Sequence, residues 1–104
     1  MKQKVIEDKA LERIQAIHQM SLKFNQMVGC PHQERLLELM RDHIDEIQQL
    51  AEQKDAHYLI ETGDLLILCF ELLLEGAGDI DEVLFKCFGR YEKKLMELMN
   101  NVNK

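Results

Sequence analysis

The stretch Glu61-Thr62-Gly63-Asp64-Leu65-Leu66-Ile67-Leu68-Cys69-Phe70-Glu71-Leu72-Leu73-Leu74 sets the class of fold. It opens with two acids three residues apart, and from Leu65 to Leu74 it is apolar except for Glu71. On a helix, positions three apart share a face, so Glu61 and Asp64 can aim both carboxylates at one cation. An acidic pair leading into a buried helix is costly unless positive charge sits beside it. Magnesium is the first candidate, and protein-bound magnesium usually accompanies phosphates. A helix apolar on every side must also be covered on every side, so this one is central in a bundle or shared between subunits. Three further helices within 104 residues cannot easily enclose it, which predicts a homodimer or a higher oligomer such as a tetramer.

Outward from this helix, three more segments have helical periodicity. The first spans about 4–27, with Val5, Leu11, Ile14, Ile17, Leu22 and Phe24 recurring mostly three to six residues apart. Gly29-Cys30-Pro31 ends it, and Pro31 suits the first turn of a second helix over about 32–53. That helix lines up Leu36, Leu37, Met40, Ile44, Ile47, Leu50 and Ala51 along one face. Lys54-Asp55-Ala56 is a turn, and the third helix covers about 57–75. Gly76-Ala77-Gly78 breaks it, after which Asp79 or Asp81 can cap a fourth helix over about 80–99, and the tail from Asn100 to Lys104 is expected to fray. The expectation is a single all-α domain over residues 1–104, a four-helix bundle completed by homo-oligomerisation.

Composition narrows the function. Nineteen acids against thirteen Lys and Arg give a net charge of -6, which disfavours nucleic acid and anionic membranes as partners. The apolar run is far shorter than the ~20 residues a bilayer span needs. Cys30, Cys69 and Cys87 are odd in number and widely spaced, which fits a reducing cytoplasm and speaks against a zinc site. His18, His32, His43 and His57 form no ligand pattern, since no Glu-x-x-His occurs. His43 reads as a hydrogen-bonded residue at the edge of the core.

The second helix offers Glu38, Asp42, Asp45, Glu46 and Gln49. Its apolar stripe centres between Met40 and Ile47, and Glu46 falls about 110° from that centre, at the border of the core. Asp42, Asp45 and Gln49 lie roughly 150° or more away, facing water unless a second packing face receives them. Glu46, Glu61 and Asp64 therefore suffice for magnesium, which keeps several waters. Glycine within the third helix, at Gly63, costs about 1 kcal/mol relative to alanine and suggests a close approach by backbone or ligand. On the fourth helix Arg90, Lys93 and Lys94 form one cationic patch suited to phosphate oxygens, or to offsetting the helix dipole.

The order Leu11-Glu12-Arg13-Ile14, Gly29-Cys30-Pro31, Asp45-Glu46-x-x-Gln49-Leu50, Glu61-x-Gly63-Asp64-Leu65-Leu66, Asp79-x-Asp81-Glu82-Val83-Leu84 and Arg90-Tyr91-x-Lys93-Lys94 resembles the MazG-type all-α nucleoside triphosphate pyrophosphohydrolases, relatives of phosphoribosyl-ATP pyrophosphatase and the dimeric dUTPases. That family holds magnesium with Glu-Glu-x-x-Glu on one helix and Glu-x-x-Asp on the next. The resemblance puts Asp45 and Glu46 at the paired glutamates and Gln49 at the third, while Glu61 and Asp64 match outright. Gln49 departs from the pattern, because an amide supplies an oxygen but no charge; Asp42, one turn before Glu46, is positioned to compensate. His32 stands where the family has an aromatic residue after Cys-Pro.

The resemblance implies cleavage of a nucleoside triphosphate between its α and β phosphates, as in the housecleaning of non-canonical nucleotides. It assigns catalysis to Glu46, Glu61 and Asp64, and metal binding to these with Gln49 and, as further candidates, Asp42 and Asp45. Mg2+ is the implied cofactor, with Mn2+ as a substitute, and Arg90, Lys93 and Lys94 would receive phosphate. The alternative is a catalytically weak or inactive relative, a helical oligomer that binds nucleotide or a protein partner.

Overall fold

The computed structural model describes residues 4–76 and 78–103, which form four helices and, among them, no strand. These are α1 (Asp8–Val28), α2 (His32–Glu52), α3 (Tyr58–Glu75) and α4 (Ile80–Val102). Ala77, inside the expected glycine break, and Lys104, at the end of the expected frayed tail, lie outside the described residues. None of the helices is long and apolar enough to cross a membrane.

Local chemistry explains each boundary. The first helix starts at Asp8 rather than near Lys4 because the preceding segment has another partner. Asp81 Oδ1 accepts from the amides of Val5 at 2.6 Å and Ile6 at 3.3 Å. At its far end Gly29 adopts φ 72°, with Gly29 N donating to Gln26 O and Cys30 N to Asn25 O, a Schellman-type stop that favours glycine. The end of α2 repeats this pattern with Lys54 at φ 58°, its amide donating to Ala51 O and that of Asp55 to Leu50 O. Asp79 caps α4 by accepting from the amide of Glu82, whereas Asp81 holds the N-terminal segment. The α4 helix continues to Val102, past the expected start of fraying at Asn100.

The first three helices form the body of the molecule, with α2 and α3 its closest-packed pair. They run antiparallel, since His32 near the start of α2 meets Glu71 late in α3, while His43 meets Glu61 and Asp64 near the start of α3. The buried apolar residues are Ile14, Leu36, Leu68 and Ile80, of which Leu36 is the one fully enclosed side chain among the described residues. Buried polar groups stand among them: His18, Asn25 and Glu71.

The fourth helix leaves this body. Among the helices it packs closely against α3 alone, and every residue from Phe88 to Asn103 is exposed, including Tyr91, Leu95, Leu98 and Met99. The radius of gyration, 16.8 Å, exceeds the ~13 Å of a compact chain of this length. Leu59, Ile60 and Leu66 on α3 are exposed as well. The helix read as apolar all round is thus covered only in part by its own chain.

Candidate metal centre between the second and third helices

Leu36 is fully buried, and His43 lies two turns further along the same face of α2. That face is rotated from the apolar stripe expected from sequence: Ile44 is 51 % exposed, while His43 turns towards α3. The histidine is anchored through Nδ1, 2.8 Å from the carbonyl oxygen of Leu39. A carbonyl oxygen only accepts, so Nδ1 carries the hydrogen. In neutral His43, Nε2 then presents a lone pair to whatever lies opposite.

Two carboxylates lie opposite. His43 Nε2 is 3.5 Å from Glu61 Oε2 and 3.9 Å from Asp64 Oδ2. The second oxygen of Glu61 lies 3.5 Å from His57 Nε2, one turn earlier in the chain. Glu61 is the inner acid, with a side chain only 15 % exposed, and Asp64 is the outer one at 52 %. One donor atom from each of His43, Glu61 and Asp64 can be chosen so that all three lie within 4.8 Å of one another.

Glu46 completes the group from α2. The adjacent Glu61 carboxyl raises its proton affinity above the ordinary carboxylate range, first by a hydrogen bond and then by charge. Loss of hydration adds to the rise, and His43 and His57 oppose it. Glu46 itself is exposed, so the pair faces solvent on the α2 side. Carboxylates and an imidazole gathered in this way could hold a divalent metal ion.

The other sequence candidates stand apart. Asp42, Asp45 and Gln49 are exposed on α2, and no hydrogen bond or ion pair among the described residues ties their side chains to the cluster. Arg90, Lys93 and Lys94 line an open cleft on α4 with Tyr91 and Glu97, and none of Glu46, Glu61 and Asp64 borders it. A Cβ built on Gly63 would meet nothing within 4 Å, so intrachain packing does not require this glycine.

His43 is the hydrogen-bonded residue at the edge of the core that the sequence suggested, and what sequence reasoning missed is that the histidines gather around the acids. His43 and His57 border the acidic group, and His18 and His32 converge on Glu71 deeper in the body. The signals were present: His18 and Asn25 fall four and eleven residues after Ile14, on one face of α1. Glu71 is the single charge in the run from Leu65 to Leu74. A buried charge needs a partner, and histidine was the available one.

Comparison of the chain with protein-family models, with curated proteins and with solved structures finds no match.

Proposed function

We propose that the protein is a Mg2+-dependent nucleoside triphosphate pyrophosphohydrolase with a MazG-like helical fold, acting on surplus or damaged nucleotides as a homo-oligomer. The observation that carries this reading is the meeting of His43 from α2 with Glu61 and Asp64 from α3, with the exposed Glu46 of α2 beside Glu61.

Glu46, Glu61 and Asp64 would hold the metal, which when bound neutralises phosphate oxygens and acidifies a coordinated water. Cation binding would favour the ionised form of Glu46, whose proton affinity the neighbouring Glu61 raises. His43 Nε2 faces the same acids and is placed to take a proton from the attacking water. Glu61, flanked by His43 and His57, has least freedom to move and fixes the position of the group.

The cationic trio Arg90, Lys93 and Lys94 sits on the part of α4 that is exposed throughout. In the proposed oligomer this half of α4 covers apolar surface of a second copy and brings the trio to that copy's acids, where it receives the departing pyrophosphate. The exposed apolar residues of α3 and α4 support such an assembly.

The test is incubation of the protein with mixed nucleoside triphosphates and Mg2+, with pyrophosphate measured. Release that Glu61→Gln removes and Gln49→Glu increases supports the enzyme. Nucleotide binding without release, in both the native protein and the Gln49→Glu variant, would replace it with the binding-module reading.

A further inference from the structure

We propose that the chain carries a second metal centre, a buried site for a divalent transition metal of the zinc class, formed by His18 of α1, His32 of α2 and Glu71 of α3. It is separate from the acidic group at the start of α3, because Glu71 lies ten residues beyond Glu61 and about 15 Å further along the helix.

The donor atoms already converge. His18 Nδ1 lies 3.3 Å and His32 Nε2 4.0 Å from the same oxygen, Glu71 Oε1. With bonds of about 2.0–2.1 Å, tetrahedral ligands stand roughly 3.3–3.4 Å apart. The first separation already matches this, and the second needs His32 to close by roughly 0.6 Å. Two histidines and one glutamate are a ligand set that zinc accepts while keeping a fourth position open.

Two features point to an ion rather than to a filled polar core. His32 Nε2 is buried without a hydrogen-bond partner, on a side chain only 9 % exposed. Buried polar atoms are almost always paired, so a lone one aimed at a carboxylate marks a position for something else. Secondly, the outer partners are those that metal-bound histidines use. His18 Nε2 lies 3.3 Å from Glu75 Oε2, a carboxylate behind the imidazole.

On the other ring, Asn25 Nδ2 lies 2.8 Å from His32 Nδ1, and a half-turn of the amide puts Oδ1 there instead. In that orientation Asn25 accepts the Nδ1 hydrogen and leaves the Nε2 lone pair facing Glu71. A surface cleft lined by Asn25, Cys30 and His32 borders the group on the His32 side. The ion would join the three helices of the body at the level where their core is polar.

The test uses the full chain, stripped with chelator and carrying Glu46→Gln, Glu61→Gln and Asp64→Asn to silence the outer acids. Zinc is titrated by equilibrium dialysis, and cobalt by its visible absorption. The expected result is one equivalent of zinc, an intense tetrahedral-type cobalt band and a raised melting temperature. His32→Gln should weaken zinc at least 100-fold, and Glu75→Gln, which leaves the ligands in place, about 10–100-fold. No zinc uptake in the silenced background, or uptake that neither variant changes, would overturn the proposal. Should His32→Gln not fold, the Glu75→Gln affinity and the cobalt spectrum decide alone.

Discussion

His43 Nε2 stands 3.5 Å from Glu61 Oε2, tying the second half of α2 to the first turn of α3. Because Leu39 fixes the hydrogen on the opposite nitrogen, this contact is favourable only with a second proton on the ring or a cation between the two groups. His43→Gln should therefore lower Mg2+ or Mn2+ affinity by about 10–100-fold, measured by calorimetric titration, with helix content unchanged by circular dichroism.

Glu46 makes metal-free stability depend on pH. Its proton affinity is raised in the folded chain, so folding favours the protonated form. Below the ordinary carboxylate range, Glu46 is protonated in both states and costs nothing. As pH rises through that range towards the raised value, the unfolded chain releases its proton first and stability falls. Melting temperatures recorded from pH 4 to pH 8 with chelator present should decline on this account, less so in Glu46→Gln. Added Mg2+ should recover the loss at pH 8 and do little at pH 4, since only the ionised group binds it.

Gly63 distinguishes a structural from a ligand-related role. Nothing in the chain stands within 4 Å of an added Cβ, so Gly63→Ala should stabilise α3 by about 1 kcal/mol in denaturant unfolding. If nucleotide or a second copy approaches the backbone there, the same variant should gain stability and lose turnover together. Unchanged turnover would mean that the glycine has no functional role.

Lys54 is the only non-glycine residue with positive φ among the described residues. A left-handed backbone costs an L side chain roughly 1–2 kcal/mol, partly offset by the greater entropy glycine loses on folding. Lys54→Gly should thus raise stability by up to about 1 kcal/mol. Gly29→Ala, at φ 72°, should lower it by a similar amount. Chemical denaturation of the two variants checks both signs.

The apolar side of α4 tests the assembly. Leu98→Glu together with Met99→Glu should convert an oligomer to monomers in sedimentation velocity and leave the α1–α3 body folded. A native chain already monomeric at micromolar concentration would remove the reason for placing Arg90, Lys93 and Lys94 beside another copy's acids.

The four helices were legible because each is bounded by residues with a local effect: Gly29 and Pro31, the turn at Lys54 and Asp55, and Asp79 at the last cap. The start of α1 was not, because Val5 and Ile6 are held by Asp81, a contact spanning most of the chain. On α2, Ile44 and His43 flank the centre of the apolar stripe at about the same angle, and packing against α3 turned the histidine inward and left Ile44 exposed. Glu46 was expected at the border of the core from its angle alone; it is exposed, though it lies beside Glu61. His18, Asn25, His32 and Glu71 went unread together because they come from three helices, and the spacing within any one helix carries no sign of the others.

The carboxylate of Asp81 has two duties. Within the first turn of α4 it complements the partial positive charge of the helix start, and it also receives the amides of Val5 and Ile6. The amino-terminal segment and the last helix are stitched together by one side chain. Replacing that carboxylate, as in Asp81→Ala, would uncouple the two ends of the polypeptide in one step and leave the amides of Val5 and Ile6 to water.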